Sequence, residues 1–292
     1  MTGPAVNTPN VIVNVEQSGR NDYWGMMLTY SISEIMQARL HDLETMLRRV
    51  MQMERETGEQ ASILYFMDLT GLKYDKRLVN LLTGALSGIS AFMSEHYVEM
   101  IHTFVLLNAP SFIAAVWAIA RPLLPERTRN KVRILGSNWK TEVLEMAVPE
   151  VLPSFWNDDK TQAFKAPLEL AEPLDPAGYY KEKPNESAKT LSIGPGKTGT
   201  IDLKGSVIRW CIHTDGHFGY TVYYAENESI QEINSMLNIY PIFTKIPGPT
   251  IVPLKDELQC QESGVYKFWF SNEHAWLHTL NIRYLIDVDA QP

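Results

Sequence analysis

The residues best suited to chemistry do not form a recognisable catalytic or nucleotide-binding motif. The segment Gly194 to Thr200 (GPGKTGT) is similar to a phosphate-binding loop, but that loop needs another glycine five residues before Gly196, where Leu191 stands. Pro195 also lacks a backbone N–H, and the strand-like TIDLKG that follows would present no helix N-terminus to a phosphate. The segment therefore predicts a β-turn.

The serines and histidines give the same result. Ser137 follows a predicted strand, but no G-x-S-x-G motif surrounds it and no local base could activate it, so a turn or capping serine is expected. His213 and His217, and likewise His274 and His278, are separated by three residues within segments that predict strands. No cysteine or carboxylate completes a zinc site around them. We expect no enzymatic activity, no metal and no cofactor.

An uncharged stretch, Thr103 to Ala120, is just long enough to cross a bilayer. Asn108, Pro110 and Ser111 interrupt it, however, so a short buried strand followed by an apolar helix that Ser111 opens is the better prediction. Such a helix must be buried in the core, cover a cavity or meet lipid.

The segment Arg121 to Arg133 follows at once and holds five basic residues and one acid, Glu126, within a chain of net charge −8. Its local charge of +4 suits anionic lipid headgroups, although a solvated charged face is the common alternative. The overall negative charge argues against a nucleic-acid partner.

These residues must be positioned by two regions of different pattern. The first two-thirds of the 292 residues alternates helices and strands, which predicts an α/β layer structure with parallel pairing. The predicted elements are a helix that Ser33 caps and that runs to about Glu56, a strand Ile63 to Leu69, a helix at about 76–95, a strand ending at Asn108, the apolar helix, a strand within KVRILG and a helix from about Thr141.

The remainder of the chain predicts a second domain. Residues 157–190 contain four prolines and dense mixed charge, which is typical of a linker. Beyond them, short alternating strands with no helix between them indicate an antiparallel β-sandwich. Two cysteines, Cys211 and Cys260, provide no disulfide framework, and the N-terminus has no secretory signal, so a cytoplasmic protein is expected.

The segment LLNAPSFIAAVWAIARPLLPERTRNKVRILGSNW, followed by LPSFW, closely resembles the CRAL-TRIO lipid-binding domain of SEC-fourteen-like lipid transfer proteins. YFMDLTG (Tyr65 to Gly71) matches the earlier strand of that family, and the resemblance extends from about Val11 to Trp156. The resemblance implies one lipid in an apolar cavity beneath a mobile helical gate. The gate and pocket residues would be Phe112, Ala115, Val116, Trp117, Ile119, Pro122 and Leu123.

The same resemblance implies roles for polar residues. Glu99 and Lys131 match the acidic and basic residues that contact the inositol phosphate headgroup in relatives, although a plain salt bridge is equally expected. Ile63 and Tyr65 replace the small polar residues of relatives that bind phosphatidylcholine, but Tyr65 could still offer its hydroxyl to a headgroup. The basic residues expected to dock on membranes are Arg121, Arg127, Arg129 and Arg133.

The second domain resembles the GOLD β-sandwich of supernatant-protein-factor-like (tocopherol-associated) proteins through GSVIRWCIHTDG and GVYKFWFSNEHAWLHTLNIRYLIDV. We therefore expect a CRAL-TRIO domain at 11–160, a linker at 161–190 and a GOLD domain at 191–289. Relatives carry an N-terminal helical bundle, where this sequence has about ten linker-like residues, so the closure of the lipid cavity is in question.

The leading hypothesis is non-enzymatic binding and intermembrane transfer or presentation of a lipid, phosphatidylinositol or similar, by a cytoplasmic protein that visits membranes transiently. The alternative is a lipid-regulated adaptor in trafficking or signalling, whose GOLD domain contacts a protein by strand addition or through Trp210, Trp269 or Trp276.

Overall fold

The computed structural model describes residues 1–74, 96–97, 99–124, 126–182, 185–246 and 248–290. The chain forms two compact units, one of Met1–Tyr23 with Gln37–Leu174 and one of Trp24–Met36 with Asp175–Pro292. The helix predicted at about 76–95 lies outside the described residues.

The first unit is built on a five-stranded sheet. Its strands, in spatial as well as chain order, are β1 (Gly3–Pro4), β2 (Val11–Glu16), β3 (Ser62–Asp68), β4 (Ile101–Leu107) and β5 (Val132–Ile134). β2 to β5 pair in parallel, and only the edge strand β1 is antiparallel. The predicted α/β class with parallel pairing is confirmed.

Five described α-helices accompany the strands: α1 (Tyr23–Thr29), α2 (Ile32–Thr57), α3 (Ile113–Ala120), α4 (Glu126–Asn130) and α5 (Trp139–Met146). Short 3-10 turns occur at Arg121–Leu123, Pro149–Val151, Ser154–Trp156, Pro176–Gly178 and Ile233–Ser235. Among the described helices, none has the length and apolar character that a bilayer crossing requires. The uncharged stretch is therefore a strand followed by a helix, as predicted.

Both faces of β3 are buried, which explains its continuous apolar run. Leu64 and Phe66 point to one face, where they pack with Trp139 and Val143 of α5. The alternate residues of β3 point to the other face, where α2 supplies Leu43, Met46, Val50 and Met53. A parallel strand with a helix on each side needs apolar residues at every position.

The N-terminal residues are part of this sheet, so the expectation of a linker there is wrong. Gly3 and Pro4 pair with Val13 and Ile12, and Ala5 is fully buried in the core. The sequence does not predict β1, because two residues are too few to show a periodicity.

Two predicted helix caps are also wrong. Ser31, not Ser33, caps α2: its Oγ accepts from the Glu34 N–H at 3.2 Å, while the Glu34 carboxylate accepts from the Ser31 N–H at 2.7 Å. This reciprocal pair is a capping box. In α3 the residue before the first turn is Phe112, and no side chain, Ser111 included, caps it.

The predicted linker 161–190 is divided between the two units. Phe164 and Ala166 are buried in the first unit, and Gln17 bonds the carbonyl of Glu169 at 2.7 Å and the N–H of Ala171 at 3.0 Å. The division between units therefore falls after Leu174, and the residues before it are packed because apolar side chains occur among the prolines and charges.

The second unit contains two antiparallel sheets, which confirms the predicted all-β pattern. One sheet has the order β10-β9-β13-β7, with β11 also pairing β9, and the other has the order β12-β8-β14-β6. Their inward side chains form a single cluster that includes Trp210, Tyr220 and Phe268. The strands are β6 (Lys189–Ile193), β7 (Thr198–Leu203), β8 (Val207–Thr214), β9 (Phe218–Ala225), β10 (Leu237–Asn238), β11 (Phe243–Ile246), β12 (Leu254–Gln259), β13 (Val265–Ser271) and β14 (Leu280–Asp289).

The segment that is similar to a phosphate-binding loop is the turn between β6 and β7. The N–H of Lys197 bonds the carbonyl of Gly194 at 3.2 Å, and Gly196 has a φ of 68°, which glycine adopts without strain. The predicted β-turn is confirmed. Cys211 and Cys260 are both free thiols.

Candidate functional site

The helix α3 is the apolar element of the first unit that is least protected from solvent. Among residues 113–119 of this helix, Ile113 alone is buried; Val116 and Trp117 are half-buried, and Ala114, Ala115, Ala118 and Ile119 are exposed. The 3-10 turn that follows exposes Arg121 and Pro122, and Leu123 belongs to the same turn. A helix without charges that is exposed along much of its surface is not a core helix, so this alternative is wrong.

Described contacts hold the beginning of α3 in place. Phe112 contacts Tyr74 edge-to-face, with 5.6 Å between ring centroids, and the N–H of Ile113 bonds the carbonyl of Pro110 at 2.9 Å. Asn108 takes the left-handed conformation, with a φ of 51°, and so turns the chain out of β4 towards the helix.

A buried carboxylate joins the sequence segments that carry the family resemblance. The Oδ1 of Asp68, at the end of β3, accepts from the Asn108 amide at 3.0 Å and from the Thr70 N–H at 2.9 Å. Its Oδ2 accepts from the indole N–H of Trp156 at 2.8 Å. The motifs YFMDLTG, NAP and LPSFW therefore meet at one point, and the role of Asp68 is to position the end of the strand from which α3 departs.

The predicted headgroup residues Glu99 and Lys131 are brought together. Lys131 Nζ lies 2.9 Å from Glu99 Oε2 and 2.7 Å from the carbonyl of Ile101, next to the beginnings of β4 and β5. The Glu99 side chain is 46% exposed and that of Lys131 is 26% exposed. The pair therefore lies at the surface, where a polar ligand can reach it.

Two further observations concern Glu99. The hydrogen bond from Lys131 and its charge lower the pKa of the Glu99 carboxyl, so it is ionised at neutral pH. The backbone of Glu99 has a φ of 62°, a left-handed conformation that is uncommon for residues other than glycine. Such conformations are concentrated at functional sites, where they aim a side chain.

The structure places Tyr65 in a different cluster from this pair. Tyr65 is 1% exposed on the face of the sheet that α2 covers, and its hydroxyl accepts from both terminal nitrogens of Arg39, at 3.1 and 3.2 Å. The hydroxyl donates to Glu16. Burial, together with the charge of Glu16, raises the pKa of the Tyr65 hydroxyl, so it keeps its proton. With these partners, Tyr65 has no hydroxyl proton to spare for a ligand.

Arg39 and Glu16 are therefore polar residues that the sequence analysis missed. One signal was available: Arg39 stands four residues before Leu43, on the apolar stripe of α2 that covers the sheet. A charged residue in such a stripe requires a partner nearby, because an unpaired charge is costly to bury. Its partners on β2 and β3 could not be identified without the tertiary structure.

The arginines of the predicted docking patch are less free than their number indicates. Arg127 lies 3.4 Å from Glu99, and Arg133 lies 3.6 Å from Glu142. Residues 121–133 carry a net charge of +4, and the carboxylates of Glu99 and Glu142 add −2, so the net charge of this surface is +2. The remaining two members are the exposed Arg121 and the half-buried Arg129.

The histidines of the second unit have ordinary hydrogen-bond partners. His274 lies 3.1 Å from the carbonyl of His217, His278 lies 3.1 Å from Asp215, and His217 Nδ1 accepts from the Gly248 N–H at 3.1 Å. Within the described part of the chain, no three metal-ligating side chains converge.

The parallel sheet and the apolar helix α3 lie within a segment that matches a known protein family. A family model described as CRAL/TRIO domain matches residues 9–157, just over half of the chain. The chain belongs to the CRAL/TRIO family. A second family model, described as F28H7_8_C:-like, C-terminal domain, matches residues 178–291.

Three relatives illustrate the range of similarity. The CRAL-TRIO domain-containing protein F28H7.8 of Caenorhabditis elegans is 27% identical over 288 residues, which cover 94% of this chain and 68% of the relative. The Sec14 cytosolic factor of Schizosaccharomyces pombe is 26% identical over 144 residues, 49% of this chain and 50% of the relative. The phosphatidylinositol/phosphatidylcholine transfer protein SFH11 of Arabidopsis thaliana is 37% identical over 62 residues, 21% of this chain and 16% of the relative. Membership of this family and the Sec14-like relatives imply lipid binding or transfer.

Proposed function

We propose that the first unit binds one phospholipid, with phosphatidylinositol as the first candidate, and transfers or presents it between membranes. In this proposal the protein acts in the cytoplasm, visits membranes transiently and performs no covalent chemistry. The names of two relatives support it, since one is a cytosolic factor and the other a phosphatidylinositol/phosphatidylcholine transfer protein.

The observation that carries the proposal is the exposure of α3. The eight residues Ile113–Ala120 (IAAVWAIA) contain no polar side chain, yet Ala114, Ala115, Ala118 and Ile119 are exposed. Water is an unfavourable environment for this surface, and a lipid chain or a bilayer is a favourable one. A helix with these properties can close over an acyl chain and can slide into a membrane when the chain leaves.

The energy of lipid extraction explains why an apolar helix is needed. An acyl chain of about sixteen carbons loses on the order of 12 kcal/mol when it leaves the bilayer, at about 0.8 kcal/mol per methylene group. The protein must replace nearly all of this energy with apolar contacts. Charged residues on α3 would weaken those contacts.

We propose the Lys131 and Glu99 pair as the headgroup contact. The ammonium of Lys131 can bind a phosphate oxygen, and the Glu99 carboxylate can accept hydrogen bonds from sugar hydroxyls. Their 2.9 Å separation gives a cation and an anion side by side, which matches a ligand that has both phosphate and hydroxyl groups. Arg127, 3.4 Å from Glu99, provides a second cation.

For the second unit we propose a GOLD-type sandwich that contacts a membrane or a protein. Its two antiparallel sheets around one core support this proposal. In the adaptor alternative, lipid in the first unit would control a protein contact of the second.

The experiment is extraction of lipids from the purified chain and their identification by mass spectrometry. We expect a phosphoinositide in about equimolar amount with the protein. We expect Lys131→Ala to retain about tenfold less of this lipid than the unchanged chain, because the variant lacks a charge-assisted contact. Lys165→Ala is the matched control, because Lys165 forms a similar exposed ion pair with Glu150 at 2.7 Å.

Two other outcomes would change the proposal. A different lipid that both variants retain equally would disprove the roles of Lys131 and Glu99 but leave lipid binding in place. The second outcome has two parts: the folded protein contains no lipid, and Val116→Asp and Ile119→Asp do not change lipid transfer between vesicles. Together these results would disprove lipid transfer and favour the adaptor.

A further inference from the structure

The loop that joins β13 to β14, residues 272–279, carries the two most exposed large apolar side chains of the described residues. Trp276 is 92% exposed and its neighbour Leu277 is 93% exposed, whereas no other described large apolar side chain exceeds 66%. The sequence alone does not distinguish Trp276 from Trp210 and Trp269. The structure separates them, because Trp210 is buried and Trp269 is half-buried.

The base of the 272–279 loop is firmly held. Asn272 is fully buried, and its side-chain amide donates to the carbonyls of Ile193 at 3.0 Å, Gly194 at 3.2 Å and His278 at 2.8 Å. Its backbone exchanges hydrogen bonds with Gly196 and Lys197 of the neighbouring turn. The loop is therefore fixed at its base while its tip stays in water. Because the base is already ordered, binding through Trp276 and Leu277 costs less backbone entropy than binding through an unanchored loop.

The surroundings of the tip combine apolar residues with a few charged side chains. An open depression beside Trp276 is lined by Pro195, Gly196, Glu273 and Ala275. Two lysines, Lys197 and Lys245, are exposed, and neither forms an ion pair with a described residue.

The two carboxylates near the tip are already hydrogen-bonded. Asp215 accepts from Asn281 and lies 3.1 Å from His278, and Glu273 accepts from the hydroxyl of Ser271 at 2.8 Å. Both carboxylates keep their negative charge and offset the charges of Lys197 and Lys245, so the surface around the tip has little net charge. A tip with little net charge and two exposed apolar side chains suits the zwitterionic headgroups of phosphatidylcholine.

We propose that the 272–279 loop inserts Trp276 and Leu277 into a phospholipid membrane. Tryptophan prefers the membrane interface, because its indole ring is apolar and its N–H can bond a headgroup or water. Leu277 enters the acyl region beside it. Two adjacent side chains on a convex tip reach only a shallow depth, which suits reversible attachment. This membrane contact belongs to the second unit and does not depend on lipid binding by the first.

The test is flotation of the full chain with phosphatidylcholine vesicles. We expect Trp276→Ser combined with Leu277→Ser to weaken partitioning at least about tenfold, since two large apolar side chains lose their burial. Leu237→Ser is the matched control, because Leu237 is an exposed leucine of the same unit that lies on β10, outside the loop. We expect this control to bind as the unchanged chain does.

Lipids brominated along their acyl chains provide a direct measure of insertion. These lipids should quench tryptophan fluorescence in the unchanged chain, and Trp276→Phe should show less quenching. Binding to neutral vesicles should also persist in high salt, which weakens attachment through arginines alone. Equal partitioning of the double variant and the unchanged chain would overturn the proposal. A dimer seen in sedimentation equilibrium and lost in the double variant, with no vesicle binding, would identify a second copy as the occupant and overturn it as well.

Discussion

At the scale of residues, two acidic side chains of the first unit differ in what surrounds them. Asp68 is buried and accepts hydrogen bonds from Thr70, Asn108 and Trp156, so it holds three segments of the chain in place. Glu99 is 46% exposed, with Lys131 beside it. A buried carboxylate whose two oxygens both accept hydrogen bonds from the chain has a structural role, whereas an exposed pair can exchange its partner for a ligand.

The histidines of the second unit make its stability depend on pH. Burial, followed by the charge of Lys245, lowers the pKa of His217 and of His274 below the ordinary value of 6.5. The unfolded chain therefore binds protons first as the pH falls, so the stabilising effect is complete above pH 6.5 and decreases below it. We expect the urea midpoint of the second unit to fall between about pH 7.5 and about pH 5.5.

His217→Asn tests the cause, because the asparagine oxygen can still accept from the Gly248 N–H but does not titrate. The variant should show a smaller decrease in the urea midpoint, with the remainder due to His213 and His274. His41→Asn, at an exposed position of α2, is the control. An unchanged pH dependence in His217→Asn would show that this imidazole is not responsible.

At the scale of elements, the two helices that matter most begin differently. The helix α2 starts with a capping box between Ser31 and Glu34, whereas α3 has no side-chain cap. Ser31→Ala should lower the free energy of unfolding by about 1 kcal/mol, the usual effect of removing such a cap. Ser111→Ala should stay within about 0.5 kcal/mol of the unchanged chain. Urea unfolding measures both, and equal effects would contradict the assignment of the cap.

The sequence predicted the elements with strong patterns and missed those without one. The continuous apolar run of β3 and the alternation of β8, β9, β13 and β14 were sufficient for strand assignment. The two-residue β1 was missed, because pairing with β2 depends on residues ten positions further along the chain. The cap of α2 could have been identified from the sequence, because Glu34 follows Ser31 at the spacing of a capping box.

The candidate site shows the same limit. Glu99 and Lys131 were predicted together from the resemblance to CRAL-TRIO relatives, and in the structure they lie next to the beginnings of β4 and β5, which are neighbours in the sheet. The partners of Tyr65 were not predicted, because Arg39 reaches it across the packing of α2 on the sheet. The contact between Tyr65 and Glu16, on neighbouring strands, was missed as well, so the order of the strands alone does not identify side-chain pairs.

At the scale of the whole molecule, the two units have separate cores. Leu152 is fully buried in the first and Leu280 in the second. Each leucine-to-alanine substitution should destabilise its own unit by about 2–5 kcal/mol, the usual effect of such a cavity. We expect two unfolding transitions in calorimetry, with Leu152→Ala lowering one and Leu280→Ala lowering the other. If both substitutions shifted a single transition, the chain would unfold as one cooperative body.

The course of α2 has a consequence for anyone who cuts or recombines this gene. The helix is continuous from Ile32 to Thr57, but its residues up to Met36 belong to the second unit and the rest to the first. Ile32 packs against the sandwich core, and the N–H of Tyr180 bonds the carbonyl of Leu28 at 2.7 Å. A fragment that starts after Leu174 therefore lacks Trp24–Met36, which belongs to the second unit. Recombination can exchange the sandwich only together with a short segment encoded far upstream, so the two halves are expected to be inherited as one.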